Sequence, residues 1–127
     1  FGLEVKKRLI IGTYALTSQR YEECFVKAMK VRELIREDFK KAFEKVDVLL
    51  TPTSPTTAFK LGQHDEDPLS LYLADLYTCQ GNIGGLAGVS VPFGKDAKGL
   101  PIGVQFYGPI LKEEKILNAA YNLEKGL

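Results

Sequence analysis

Apolar positions at the start of the chain follow no single stripe. The spacing predicts a helix over residues 3–16, yet after Arg8 every angle of its wheel is uncharged, through Leu9, Ile10, Ile11, Gly12, Thr13, Tyr14, Ala15 and Leu16. A helix apolar on all sides belongs inside a structure. A chain of 127 residues has few places to bury one, so packing neighbours beyond this sequence are expected. A second, long helix follows, with Ser18 as its expected cap and Glu22 and Glu23 near its positive end. Its apolar face recurs at Tyr21, Phe25, Ala28, Ile35, Phe39, Ala42 and Val46.

The pattern then shortens. Residues 46–50 are an apolar run bounded by the Pro- and Thr-rich stretch 51–57, which reads as a strand buried on both faces. Asp67 and Pro68 supply a cap and a first-turn proline ahead of a helix over 69–79. Eight of the 12 glycines fall between Gly81 and Gly108, and the segment 81–88 is small and flexible in composition. Strands are expected at 89–92 and 102–107 with a turn at 95–99, and an amphipathic helix over 112–125 turns Ile116, Ala120 and Leu123 inward. Strands interleaved with helices predict an α/β class with a mostly parallel or mixed sheet.

Composition removes several functions. With 45% apolar and 26% charged residues the chain is too apolar for a disordered segment. A net charge of +1 supplies no basic stripe for nucleic acid or an anionic membrane. Cys24 and Cys79 form no CxxC and lie near no His, so no metal or redox motif is formed, and reduced thiols in a soluble cytoplasmic protein are expected. The chain opens on Phe1 rather than Met and carries no signal segment, which marks it as a piece of a longer polypeptide in this reading.

Candidate chemistry is sparse. The cluster Gly81, Gly84, Gly85, Gly88 matches neither GxGxxG nor a Walker loop, so close backbone packing is expected there instead of phosphate. His64 is alone in a polar run and reads as a solvated loop residue, which leaves a Ser-His-Asp triad without a base. Two charges stand out by isolation. Arg8 precedes eleven uncharged residues, and Asp75 is the only charge among the 27 residues 68–94. Charges in such surroundings are paired or have a task. Arg8 is either the end of a solvated basic run with Lys6 and Lys7 or a carboxylate-binding fork, and Asp75 is either a structural hydrogen-bonding carboxylate or an acceptor for an ammonium. Together they suit an amino-acid zwitterion, or each other.

An ordered series of short motifs is recognisable across nearly the whole chain: Phe1-Gly2, Glu4-Val5-Lys6 with Arg8, Gly12-Thr13-Tyr14-Ala15-Leu16, Lys30-Val31-Arg32, Thr51-Pro52-Thr53, Asp67-Pro68-Leu69, Asn82 with Gly85-Leu86, Ser90-Val91-Pro92, and Gly99-Leu100-Pro101 with Gly103 and Gln105. The series resembles the C-terminal part of an amidase-signature protein, and within that family its glutamine-dependent, tRNA-linked amidotransferases. Gln80 and Ala87 stand where the family usually has Pro, and Phe93 where Cys is common.

The resemblance implies that the chain is the C-terminal portion of one amidase domain, part of a mixed sheet sandwiched between helix layers. It implies hydrolysis of glutamine's side-chain amide by a Ser, cis-Ser, Lys triad, with ammonia delivered to a tRNA-bound glutamate. Sister subunits B and C are the implied partners, with ATP and magnesium used, and tRNA mainly held, in a sister subunit. No residue here matches the triad, so the chain alone is expected to be inactive. Arg8 and Asp75 match the positions that grip glutamine's α-carboxylate and α-ammonium. A free-standing amidase acting on another amide and a non-catalytic binding module are the competing readings, and self-association is expected of the chain alone.

Overall fold

The computed structural model describes residues 1–63 and 68–126. His64 and the expected cap Asp67 lie outside the described residues. In chain order the elements are α1 (Leu3–Ala15), a π-helical turn (Tyr21–Val26) running into α2 (Lys27–Phe43), β1 (Leu49–Pro52), α3 (Pro68–Ala74), α4 (Leu76–Gly84), β2 (Ala87–Lys95), β3 (Pro101–Gly108) and α5 (Glu113–Gly126).

Three strands form one sheet in the order β1-β3-β2, and both pairings are antiparallel. The α/β class stands, but the strand directions differ from the parallel or mixed pairing expected. The reason is the turn between β2 and β3: a connection of five residues can only join antiparallel neighbours, because a parallel pair needs a long crossover. Asp96 builds that turn. Its Oδ1 accepts from the Lys98 amide at 2.8 Å and the Leu100 amide at 2.9 Å, while Oδ2 accepts from Thr57 Oγ1 at 2.9 Å. These donors, the Leu100 amide foremost, hold its carboxyl below the usual carboxylate range.

Side chains alternate across the sheet. One face carries Val89, Val91, Val104 and Phe106, and α5 covers it with Ile116, which is 1% exposed, and Ala120; Leu123 packs at the margin, as its helical spacing predicts. Lys115 on α5 is ion-paired with Asp47 just before β1, fastening the helix to that edge. The other face carries Tyr107, whose Oη donates to the Tyr77 carbonyl of α4 at 2.8 Å. Next outward, α2 lies on α4, with Phe39 against Gly84 and Arg32 Nε donating to the Ile83 carbonyl at 3.1 Å. Helices therefore lie on both sides of the sheet.

Several local expectations change. The long helix begins beyond Ser18, and Arg20 precedes its π-helical turn without any side-chain cap. The first strand lies later than 46–50, and Leu50 is 56% exposed rather than buried, because β1 is an edge that, among the described residues, pairs only with β3. Its ladder runs through the Thr-rich stretch as far as the Thr53 amide, which donates to the Gly103 carbonyl at 3.1 Å. The expected helix over 69–79 is two helices broken at Asp75, and the first glycines of 81–88 are helical, with Gly85 ending α4 at φ 69°.

Helix α1 has no buried residue: Leu9, Ile10 and Ile11 are 57%, 68% and 60% exposed. Among the described residues, no helix is long and apolar enough to cross a membrane.

Candidate functional site

Arg8 sits midway along α1, where Glu4 occupies the same face one turn earlier. Arg8 Nε donates to Glu4 Oε1 at 3.2 Å. The guanidinium also lies over the ring of Tyr72 on α3, 4.9 Å from its centroid. Tyr72 closes the triangle, since its Oη donates to the same Glu4 Oε1 at 3.2 Å. Two helices far apart in sequence thus meet on one carboxylate oxygen. Neither Glu4 nor Tyr72 stands out by charge isolation, but the spacing of Glu4 four residues before Arg8 is the available signal for the first of them.

Asp75 occupies the break between α3 and α4. Its backbone, at φ -91° and ψ 7°, leaves the helix in the bridge region that often holds active-site residues. The break is bridged by short backbone bonds: the Asp75 amide donates to the Tyr72 carbonyl at 3.2 Å, and the Cys79 amide to the Asp75 carbonyl at 3.0 Å. Thr78 Oγ1 adds a second bond to that carbonyl at 3.2 Å. Asp is a favoured N-cap because its carboxylate accepts from the first free amides of a helix. Here Asp75 is exposed and holds the N-cap position of α4 without a side-chain cap bond. Its carboxylate is not spent on its own helix.

The structure brings Arg8 onto Tyr72, three residues before Asp75, so both candidates border the α3–α4 junction. Arg8 is ion-paired to Glu4 rather than to Asp75. Glu4 is engaged through Nε of the Arg8 guanidinium, and a planar guanidinium is a fork suited to a carboxylate. The surface is open here, with Arg8's side chain 52% exposed.

Two side-chain contacts within the sheet were not foreseen, although the residues lie in the motif series. Gln105 is 4% exposed on the Tyr107 face of the sheet and donates from Nε2 to Thr51 Oγ1 at 3.0 Å, and Thr53 and Ser90 share a hydroxyl bond of 2.7 Å. Their strand-paired positions become legible only with the register Thr51↔Gln105↔Ser90. The glycine cluster does what its spacing implied: Gly81 lies against the Tyr107 ring. A groove of about 630 Å³ lies elsewhere, between Phe39 and Phe43 of α2 and Leu86 and Ile110, and contains neither candidate.

Comparison with known proteins shows the family. A family model described as Amidase matches residues 1–117. The chain is 57% identical over 125 residues to the A subunit of glutamyl-tRNA(Gln) amidotransferase of Acaryochloris marina (strain MBIC 11017), covering 98% of this chain and 26% of that protein. It is 57% identical over 124 residues to the same protein of Prochlorococcus marinus (strain MIT 9312), with 98% and 26% covered. The crystal structure of the corresponding A subunit from Thermotoga maritima superposes with a TM-score of 0.80 at 43% identity, covering 98% of this chain and 28% of that one. A crystal structure of an amidase gives 0.77 at 27% identity, with 100% and 29% covered. The chain spans about a quarter of the length of the curated relatives it matches.

Proposed function

The chain belongs to the amidase family, and on that premise we propose that it is the C-terminal, substrate-gripping part of a glutamine-dependent amidotransferase subunit. In this reading the complete subunit hydrolyses the side-chain amide of glutamine through a Ser, cis-Ser, Lys triad outside these 127 residues. The ammonia converts glutamate carried on tRNA(Gln) to glutamine, with sister subunits B and C supplying the tRNA contacts and the ATP- and magnesium-dependent activation, in the cytoplasm. Likeness along nearly the whole chain to amidotransferase subunits of that name supports the tRNA-linked enzyme over a free-standing amidase, which need not hold an amino-acid zwitterion.

The roles divide by chemistry. The planar fork of Arg8 takes the α-carboxylate, and Asp75 accepts from the α-ammonium. The amide to be cleaved is thereby pointed away from both, toward the nucleophile. The observation that carries this assignment is the Asp75 carboxylate, placed at a helix N-cap yet making no cap bond, beside a junction on which Arg8 is already seated.

Arg8→Lys in the complete protein tests it. Lysine keeps the charge and loses the fork, so the glutamine KM is expected to rise about 30-fold or more. Free ammonia bypasses the grip, and amidation with ammonia as donor is expected to stay near the unsubstituted rate. An unchanged glutamine KM would return Arg8 to the solvated basic run with Lys6 and Lys7.

A further inference from the structure

We propose that Tyr72 and Glu4 are positioning residues for Arg8, together restraining its guanidinium where it meets the substrate carboxylate. The proposal rests on the reading of Arg8 given above. An ion pair between residues four apart on one exposed helix is ordinarily weak and mobile, since both long side chains keep rotamers in water. Here a third group from another helix restrains it. The Arg8 guanidinium carbon lies over the Tyr72 ring, 4.9 Å from its centroid, where the ring quadrupole attracts the cation.

Glu4 supplies the second restraint. Its Oε1 receives Arg8 Nε and Tyr72 Oη, both at 3.2 Å, so the guanidinium is tied at Nε to the same oxygen that Tyr72 holds. The carboxylate does not cancel the field offered to a substrate anion, because Lys7 Nζ lies 4.0 Å from Glu4 Oε2 and the three-residue group keeps a net positive charge. Tyr72 also precedes Asp75 by three residues, and the Asp75 amide donates to its carbonyl at 3.2 Å. One residue therefore references the cationic grip and the anionic grip to the same turn of backbone. In the isolated sequence it is only an aromatic residue between Leu71 and Leu73.

The experiment uses the complete protein in its amidotransferase assembly, with glutamine and ammonia as alternative donors. Tyr72→Phe keeps the ring and removes the bond to Glu4, and a rise of about 3- to 10-fold in glutamine KM is expected with kcat little changed. Tyr72→Leu removes the ring as well and is expected to raise KM further, while Glu4→Gln, which keeps an acceptor oxygen, is expected to fall nearest the unsubstituted protein. Ammonia-dependent amidation should be unaffected in all three. In an Arg8→Ala background the Tyr72 substitutions should add nothing, since they act through Arg8. If Arg8→Ala raises KM and the Tyr72 variants do not, the positioning role is overturned and the grip stands. If the Tyr72 variants lower ammonia-dependent turnover as much as glutamine-dependent turnover, Tyr72 is merely structural and the proposal again falls. If Arg8→Ala itself leaves glutamine KM unchanged, the grip fails, and the positioning role with it.

Discussion

A methyl group at Gly81 would stand 2.3 Å from Tyr107 Cε1 and 2.7 Å from the ring's Cζ, so this position sets how closely α4 approaches the sheet. The ring is held in place by its bond to the Tyr77 carbonyl and cannot simply swing aside. Gly81→Ala is therefore expected to destabilise the fold by about 1–3 kcal/mol, the usual range for overpacking. Urea unfolding of the two proteins measures it, and equal midpoints would contradict the close packing. That the cluster packs closely was legible in its spacing; that Tyr107 is the partner was not, because the ring arrives from a strand late in the chain. The same limit applies around the grip. Arg8 is visible as the last charge before eleven uncharged residues, and Asp75 as the lone charge of an uncharged stretch. Glu4 lies among other charges with only its spacing from Arg8 to mark it, and Tyr72 lies in an ordinary helix face, so it is the approach of α3 to α1 that joins them.

Among the elements, the β2–β3 hairpin was the most legible part of the sheet, since its turn residues and flanking Val and Ile positions lie together in sequence. Its acid sensitivity follows from Asp96. Hydrogen bonds to the ionised carboxylate depress its folded pKa, so the stability they contribute is complete above the unfolded value of about 3.9 and is lost as pH falls through the lower folded value. Asp47, held down chiefly by its bond to Lys115, acts in the same direction at the other edge. The thermal midpoint is expected to drop between pH 7 and pH 3, and Asp96→Asn is expected to lower it at pH 7 and reduce that drop. An identical drop in both proteins would place the acid-sensitive groups elsewhere. Less legible were β1 and the break at Asp75. The ladder of β1 depends on a partner nearly sixty residues away, Leu49 pairing with Tyr107. The break lies within an unbroken helical pattern, and neither Gly nor Pro marks it.

For the whole molecule, the apolar wheel of α1 was read as a surface wanting neighbours, and in this chain Leu9, Ile10, Ile11, Tyr14 and Leu16 are each more than half exposed. A preparation of these 127 residues alone is expected to self-associate and to bind hydrophobic dyes; sedimentation showing monomers at high concentration, without dye binding, would contradict this. Family membership was legible in the order of short motifs because each marks a structural joint or a candidate contact: Gly85-Leu86 ends a helix, Ser90-Val91-Pro92 lies in β2, and Arg8 closes the Glu4-Val5-Lys6 series. The central claim is that Asp75 grips the ammonium of glutamine, and Asp75→Asn in the complete protein, which keeps the side chain's shape and removes its charge, tests it most directly. The measurement is the glutamine KM beside the rate with free ammonia: a KM raised about 30-fold or more with the ammonia rate preserved is the predicted result, and an unchanged KM and turnover with glutamine would contradict the account.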